Sequence, residues 1–90
     1  MPIVRFTAAL TRFFPDLKPQ EIDAQTINEI LISLNNHYAG ISDFLIDEHG
    51  NLRPHINIFI GERMITDREK LSDLVSENEE ILIFQALSGG

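Results

Sequence analysis

The residues with the clearest chemical potential are Gly89 and Gly90, which follow the apolar run Ile81-Leu82-Ile83-Phe84 and the short stretch Gln85-Ala86-Leu87-Ser88. A carboxylate at the end of a side-chain-free stretch can enter a channel too narrow for any residue with a Cβ. The free carboxylate is a poor electrophile. Once converted to an acyl phosphate it carries a good leaving group and can pass to a nucleophile. The expected reactive group is therefore Gly90, carried on a tail of Leu87, Ser88 and Gly89. A terminal Gly-Gly is a weak signal alone, since chain ends are often glycine-rich. The elements that precede it must decide.

Other reactive groups are sparse. The chain has no cysteine, which removes thiolate nucleophiles, disulfides and cysteine metal sites and fits a reducing compartment. His37, His49 and His55 have no ligand-like spacing, so no metal site is expected. Asp47-Glu48 and Glu77, Glu79, Glu80 offer paired carboxylates, but acid–base work needs a concave site and shifted pKa values. These runs fall in predicted turns, where solvated charge is the simpler reading. No nucleophile–base constellation is visible, so an enzyme acting alone is not expected.

Fourteen acidic against seven basic residues give a formal charge of −7. Phosphate backbones would be repelled, which argues against nucleic acid as a partner. An acidic surface suits a protein partner with a basic docking face, or serves solubility alone. The start, Met1-Pro2-Ile3-Val4-Arg5, enters a strand-like stretch with no leader pattern. No apolar run approaches the ~20 residues that span a bilayer. The expectation is a cytoplasmic protein with no membrane partner.

Ninety residues allow one domain. Pro2 to Leu10 alternates, with Val4, Phe6 and Ala8 expected toward the core. Pro15-Asp16 marks a turn, and Phe13 or Phe14 should fold back onto the domain. Leu17 to Ala24 reads as a weaker strand that Pro19 confines to an edge. Thr26-Ile27-Asn28-Glu29 has the form of a capping box, with Glu29 reaching back to the Thr26 amide. Behind it Ile27, Ile30, Leu31, Leu34 and Tyr38 form one apolar helical stripe, which Gly40 is placed to end.

Ile41 to Ile46 suggests a single helical turn, and Asp47 to Asn51 a polar turn. His55 to Ile60 alternates cleanly, with Ile56, Ile58 and Ile60 on one face and His55, Asn57 and Phe59 on the other. Arg63-Met64-Ile65 suggests a short return strand, Leu71 to Val75 a helical turn, and Ile81 to Ala86 the last strand. This order predicts an α+β domain, a mixed four- to five-stranded sheet with one main helix packed on one face. The first and last strands are expected side by side at its centre. If Ile81 and Ile83 face the helix, then Phe59, Leu82 and Phe84 share the outer face and form an apolar patch suited to docking a partner.

Two stretches resemble a known family. Tyr38-Ala39-Gly40-Ile41-Ser42 through Asp47-Glu48-His49-Gly50-Asn51-Leu52-Arg53-Pro54-His55-Ile56-Asn57-Ile58-Phe59-Ile60, and Glu79 to Gly90, are similar to the ubiquitin-like bacterial sulfur carriers. That group includes the small subunit of molybdopterin synthase, the thiamine-pathway sulfur carrier and the carrier of a cysteine-biosynthesis pathway. The Arg53 to Ile60 segment looks most like the cysteine-pathway type. The resemblance implies a β-grasp domain over residues 1–86 and a flexible Gly-Gly tail over 87–90.

It also implies a reaction cycle. A ubiquitin-activating-like adenylyltransferase would use ATP to adenylate Gly90, a sulfur donor would convert it to a thiocarboxylate, and a synthase would accept the sulfur. The carrier itself would bind no cofactor. Many relatives have Asp-Gly-Asp before the last strand and a proline within it, whereas this chain has Glu77-Asn78-Glu79 and Gln85-Ala86-Leu87-Ser88. Two other readings stay open: a ubiquitin-type modifier conjugated through Gly90, and a passive β-grasp interaction domain.

Overall fold

The alternating apolar segments join into one five-stranded sheet in the computed structural model, which describes residues 1–86. In chain order the elements are β1 (Ile3–Phe6), α1 (Ala8–Thr11), β2 (Gln20–Glu21), α2 (Ile27–His37), α3 (Ile41–Leu45), β3 (Ile56–Ile60), β4 (Arg63–Met64) and β5 (Glu80–Gln85). The sheet order is β2-β1-β5-β3-β4. β5 runs parallel to β1, with Val4 opposite Ile81, and antiparallel to β3, with Ile58 opposite Ile83. The first and last strands are thus neighbours, as expected, and β5 is the middle strand.

Period-two burial sets the two faces. Val4, Ile56, Ile58, Ile60, Ile81 and Ile83 are buried beside Ile27, Ile30, Leu31 and Leu34 of α2. Removing each such side chain from water contributes roughly 1.5–3 kcal/mol. β2 is a two-residue edge strand directly after Pro19, which has no N–H to give a ladder. Phe14 folds back onto the core and packs edge-on to Phe44, at 5.9 Å between ring centroids.

Three local expectations are corrected. The strand begun at Pro2 ends at Phe6, and Ala8 is exposed on α1 instead of facing the core. Ala-Ala-Leu is a run of strong helix formers with no β-branched residue to hold a strand. Leu71 to Val75 is not helical. Its carbonyls serve the start of α2 instead, as Asn28 N–H donates to Leu71 C=O and Ile27 N–H to Asp73 C=O, while Leu74 bridges Thr26. A helix leaves its first amides without internal partners, and this segment supplies them. The capping pattern is shifted: Thr26 Oγ1 accepts from Glu29 N–H, but Glu29 Oε1 accepts from Gln25 N–H at 3.0 Å, not from Thr26.

Gly40 takes the left-handed conformation (φ 93°) three residues beyond the end of α2, with its N–H held by Asn35 Oδ1, and opens α3. Asn78 also lies there (φ 63°), a region asparagine tolerates better than most residues.

The loop after β4 is tied by two carboxylates. Asp67 accepts from the amides of Glu69, Lys70 and Ser72 and from the Ser72 hydroxyl. Asp73 accepts from the Thr66 amide and hydroxyl and the Asp67 amide, with Arg63 at 3.8 Å. Hydrogen bonds from the Lys70 amide and the Ser72 hydroxyl lower the Asp67 pKa to about 2. For Asp73, burial pushes the pKa up, but the Asp67 and Thr66 donors outweigh it and the net direction is down. Folding therefore favours the ionised forms. Their contribution is complete above the ordinary value of 3.8 and is lost as the pH falls toward 2. Asp67→Asn should lower the urea midpoint at pH 7 and shrink the stability lost between pH 4 and pH 2. An unaltered acid profile in urea titrations would exclude this loop as an acid-sensitive element.

Candidate functional site

The site is built where β5 leaves the sheet. Even-numbered residues of β5 bond toward β3: Gly61 N–H donates to Glu80 C=O and Ala86 N–H to His55 C=O, both at 2.8 Å. Odd-numbered residues bond toward β1. Ile3 N–H donates to Glu79 C=O at 2.9 Å and Thr7 N–H to Ile83 C=O at 3.2 Å. The next rung differs. Thr7 C=O is taken by Leu10 N–H as α1 begins, so Gln85 N–H donates to Thr7 Oγ1 at 3.3 Å instead. A side chain ends the ladder where the backbone has turned away. Ala86 is thereby held to β3 on one side while β1 has already departed on the other.

The outer face brings the predicted patch together. Phe59 and Leu82 are cross-strand partners, Phe84 lies opposite Asn57, and all three are half-buried. Met64, 50% exposed, extends the row beyond Phe59, and Arg5 borders Leu82 and pairs with Glu80 at 3.2 Å. Arg63 lies opposite Ile60 and turns to Asp73, away from this row.

The end of the face nearest Ala86 carries a cation that sequence reasoning did not single out. Arg68 reaches from the carboxylate-tied loop to Asn57 Oδ1 at 2.9 Å, Ile56 C=O at 2.7 Å and Arg53 C=O at 2.8 Å. It clamps the start of β3, the strand that holds Ala86. Thr7 was also missed, because it reads as one more strand residue. Its signal was available in Thr7-Ala8-Ala9-Leu10, a cap-type residue before helix formers.

Leu87, Ser88, Gly89 and Gly90 lie outside the described residues. Among the described residues, no group of three or more His, Asp or Glu is placed to hold a metal ion, and no helix is long and apolar enough to cross a membrane. Asp47 spends its carboxylate on the amides of His49 and Asn51, which shapes the turn.

The model of the ThiS family matches residues 4–90. The chain belongs to the ThiS family. This is the ubiquitin-like sulfur-carrier group that the central and C-terminal stretches resemble. No curated protein matches the chain. Among solved structures, a chain of the Amycolatopsis orientalis BexX/CysO complex is 23% identical, with 100% of each chain covered and a TM-score of 0.84. CysO of Mycobacterium tuberculosis, described as an antigen, is 20% identical over 97% of this chain and 100% of its own, with a TM-score of 0.81. Small archaeal modifier protein 1 of Methanosarcina acetivorans is 23% identical over 99% and 95%, with a TM-score of 0.78. These likenesses show the fold: a ThiS-family β-grasp with a mixed sheet and one main helix.

The Thr7 contact has a measurable consequence. A net hydrogen bond is worth about 1 kcal/mol, or roughly five-fold in an opening equilibrium. Thr7→Val should speed hydrogen exchange of the Gln85 amide by about that factor, while Thr7→Ser retains protection. Equal protection in all three proteins would show that the hydroxyl does not hold the strand end.

Proposed function

We propose that the chain is a sulfur carrier whose reactive group is the Gly90 carboxylate. The observation that carries this reading is the family match, which runs to residue 90 and so includes Gly89 and Gly90. In the proposed cycle the carboxylate attacks the α-phosphorus of ATP within an adenylyltransferase of ubiquitin-activating type, and pyrophosphate leaves. A sulfide-level nucleophile then attacks the acyl carbon, the bond to the phosphate oxygen breaks, and AMP departs. The resulting thiocarboxylate gives its sulfur to an accepting synthase in cofactor or cysteine biosynthesis. ATP belongs to the activating partner, and the carrier contributes no catalytic side chain. It acts as a co-substrate, or as the small subunit of a synthase of the molybdopterin type. The cycle places it in the cytoplasm, where ATP is supplied.

Residues 1–86 form the recognition domain in this reading, and Leu87, Ser88, Gly89 and Gly90 the inserted tail. Phe59, Leu82 and Phe84 form the docking surface for partner enzymes. One neighbour was solved as a complex of BexX with CysO, which supports a carrier that works through protein partners. A second reading, conjugation through Gly90 as a protein modifier, is favoured by the likeness to small archaeal modifier protein 1. Both readings share the adenylation step.

Intact mass separates them. Incubation with ATP, the activating enzyme and sulfide should add about 16 Da, the oxygen-to-sulfur exchange at an activated acyl group. A chain lacking Gly89 and Gly90 should fold normally and gain nothing. Isopeptide-linked conjugates without the mass gain would favour the modifier. The patch is tested by Phe59→Ala and Leu82→Ala. Each should raise the KM for the carrier about ten-fold, as expected for apolar anchors at an interface centre, with kcat retained. An unchanged KM would remove the patch from the docking surface.

A further inference from the structure

Beside the departing strand lies an open slot of ≈ 620 Å³ that shares only Phe84 with the docking patch. Ala8, Ala9 and Arg12 of the α1 region form one wall, Phe84, Gln85 and Ala86 the other, and Thr7 closes the end. It occupies the place where a continued β1 would run. The alternation of β5 directs the Gln85 carbonyl toward this side, following Glu79 and Ile83, whose carbonyls accept from Ile3 and Thr7. Its natural donor, the residue two beyond Thr7, is Ala9, which has entered α1. Among the described residues no backbone N–H reaches the Gln85 carbonyl. Among the described residues the buried Gln85 Oε1, on the inner face with Ile81 and Ile83, also has no hydrogen-bond partner. The Gln85 carbonyl at the strand edge is thus open to an added donor, and the buried Gln85 Oε1 lacks one as well, a condition that buried polar groups rarely keep.

The walls specify what fits. Ala8 and Ala9 present only methyl groups to the slot, so their side chains do not obstruct an extended main chain entering beside Gln85. Phe84 offers an apolar surface along the same edge. Arg12 is exposed and, unlike Arg5 and Arg63, forms no ion pair among the described residues. In a chain of net charge −7, an unpaired guanidinium at the exit of the reactive strand selects an acidic group on whatever enters.

We propose that this slot receives an extended, acidic segment of the activating enzyme, added as a strand beside β5. One of its N–H groups supplies the Gln85 carbonyl, and a carboxylate meets Arg12. Main-chain pairing of this kind gives affinity without demanding a particular side chain at each position. The inference rests on the adenylation reading and adds a contact to it.

The test uses the full chain and the adenylyltransferase of ubiquitin-activating type from the producing cell, with ATP–pyrophosphate exchange as the readout. Arg12→Glu and Ala8→Phe should each raise the KM for the carrier about ten-fold, on the scale of an interface hot spot, with kcat within about two-fold. Arg12→Lys should recover most of the loss. Circular dichroism and melting curves should match wild type, since both positions are exposed. A photocrosslinking residue in place of Ala8 should label the adenylyltransferase. A crosslink to residues 87–90 of the same chain, or to a second copy, would overturn the proposal, as would variants with unchanged KM while wild type supports exchange. Absence of exchange with the wild-type chain would overturn the adenylation reading and the slot together.

Discussion

One strand carries hydrogen-bond ladders on both sides, and the rest of the molecule depends on it. β5 accepts from and donates to β1 along its odd residues and β3 along its even ones. Its inner residues Ile81 and Ile83 are fully buried, and its outer residues Leu82 and Phe84 form the apolar face. The core, the patch and the exit of the chain are thus aspects of a single six-residue segment. A backbone group left unpaired in such a setting costs about 1–3 kcal/mol, so the register of β5 is tightly specified. A slip of one residue would turn Leu82 and Phe84 inward and expose the isoleucines.

The two sides of β5 end differently, and this asymmetry gives the exit its character. Toward β3 the ladder continues to Ala86, with His55 as its partner and Arg68 clamping the strand behind it. Toward β1 it stops at Thr7, which serves two elements at once. Its carbonyl begins α1, and its hydroxyl, free of any capping bond within α1, takes the Gln85 amide. A β1 two residues longer would have filled the slot with the chain's own backbone.

Much of this architecture is legible in the residues because its causes are local. The alternation of Ile56, Ile58 and Ile60 and the spacing of Ile27, Ile30, Leu31 and Leu34 are consequences of backbone period, and the structure buries all seven. Phe59, Leu82 and Phe84 share a face for the same reason. Where sequence and structure part, the cause is in some places a distant partner and in one a local change of period. Leu71 to Val75 has the composition of a helical turn, but the amides at the start of α2 take its carbonyls, and Leu71 is held at φ 56° with its side chain buried. Ala8 continues the count of two begun at Val4, whereas the chain changes period at Thr7. The role of Arg68 was invisible, since its three acceptors lie 11 to 15 residues away. The chemistry of Gly90 was read from its position and from family resemblance, and it lies outside the described residues.

The pairing of β1 with β5 joins segments near opposite ends of the chain, with Ile3 set against Glu80. Such contacts close the longest loop available, and their entropy cost must be met before they return stability. During synthesis β1 emerges first and has only the two-residue β2 for a sheet partner until β5 is made. The isoleucine face of β3 likewise waits for Ile81 and Ile83. Completion of the core and exposure of the exit therefore coincide in time. A chain whose β5 is not yet made, or is locally unfolded, lacks the ordered strand end at Ala86.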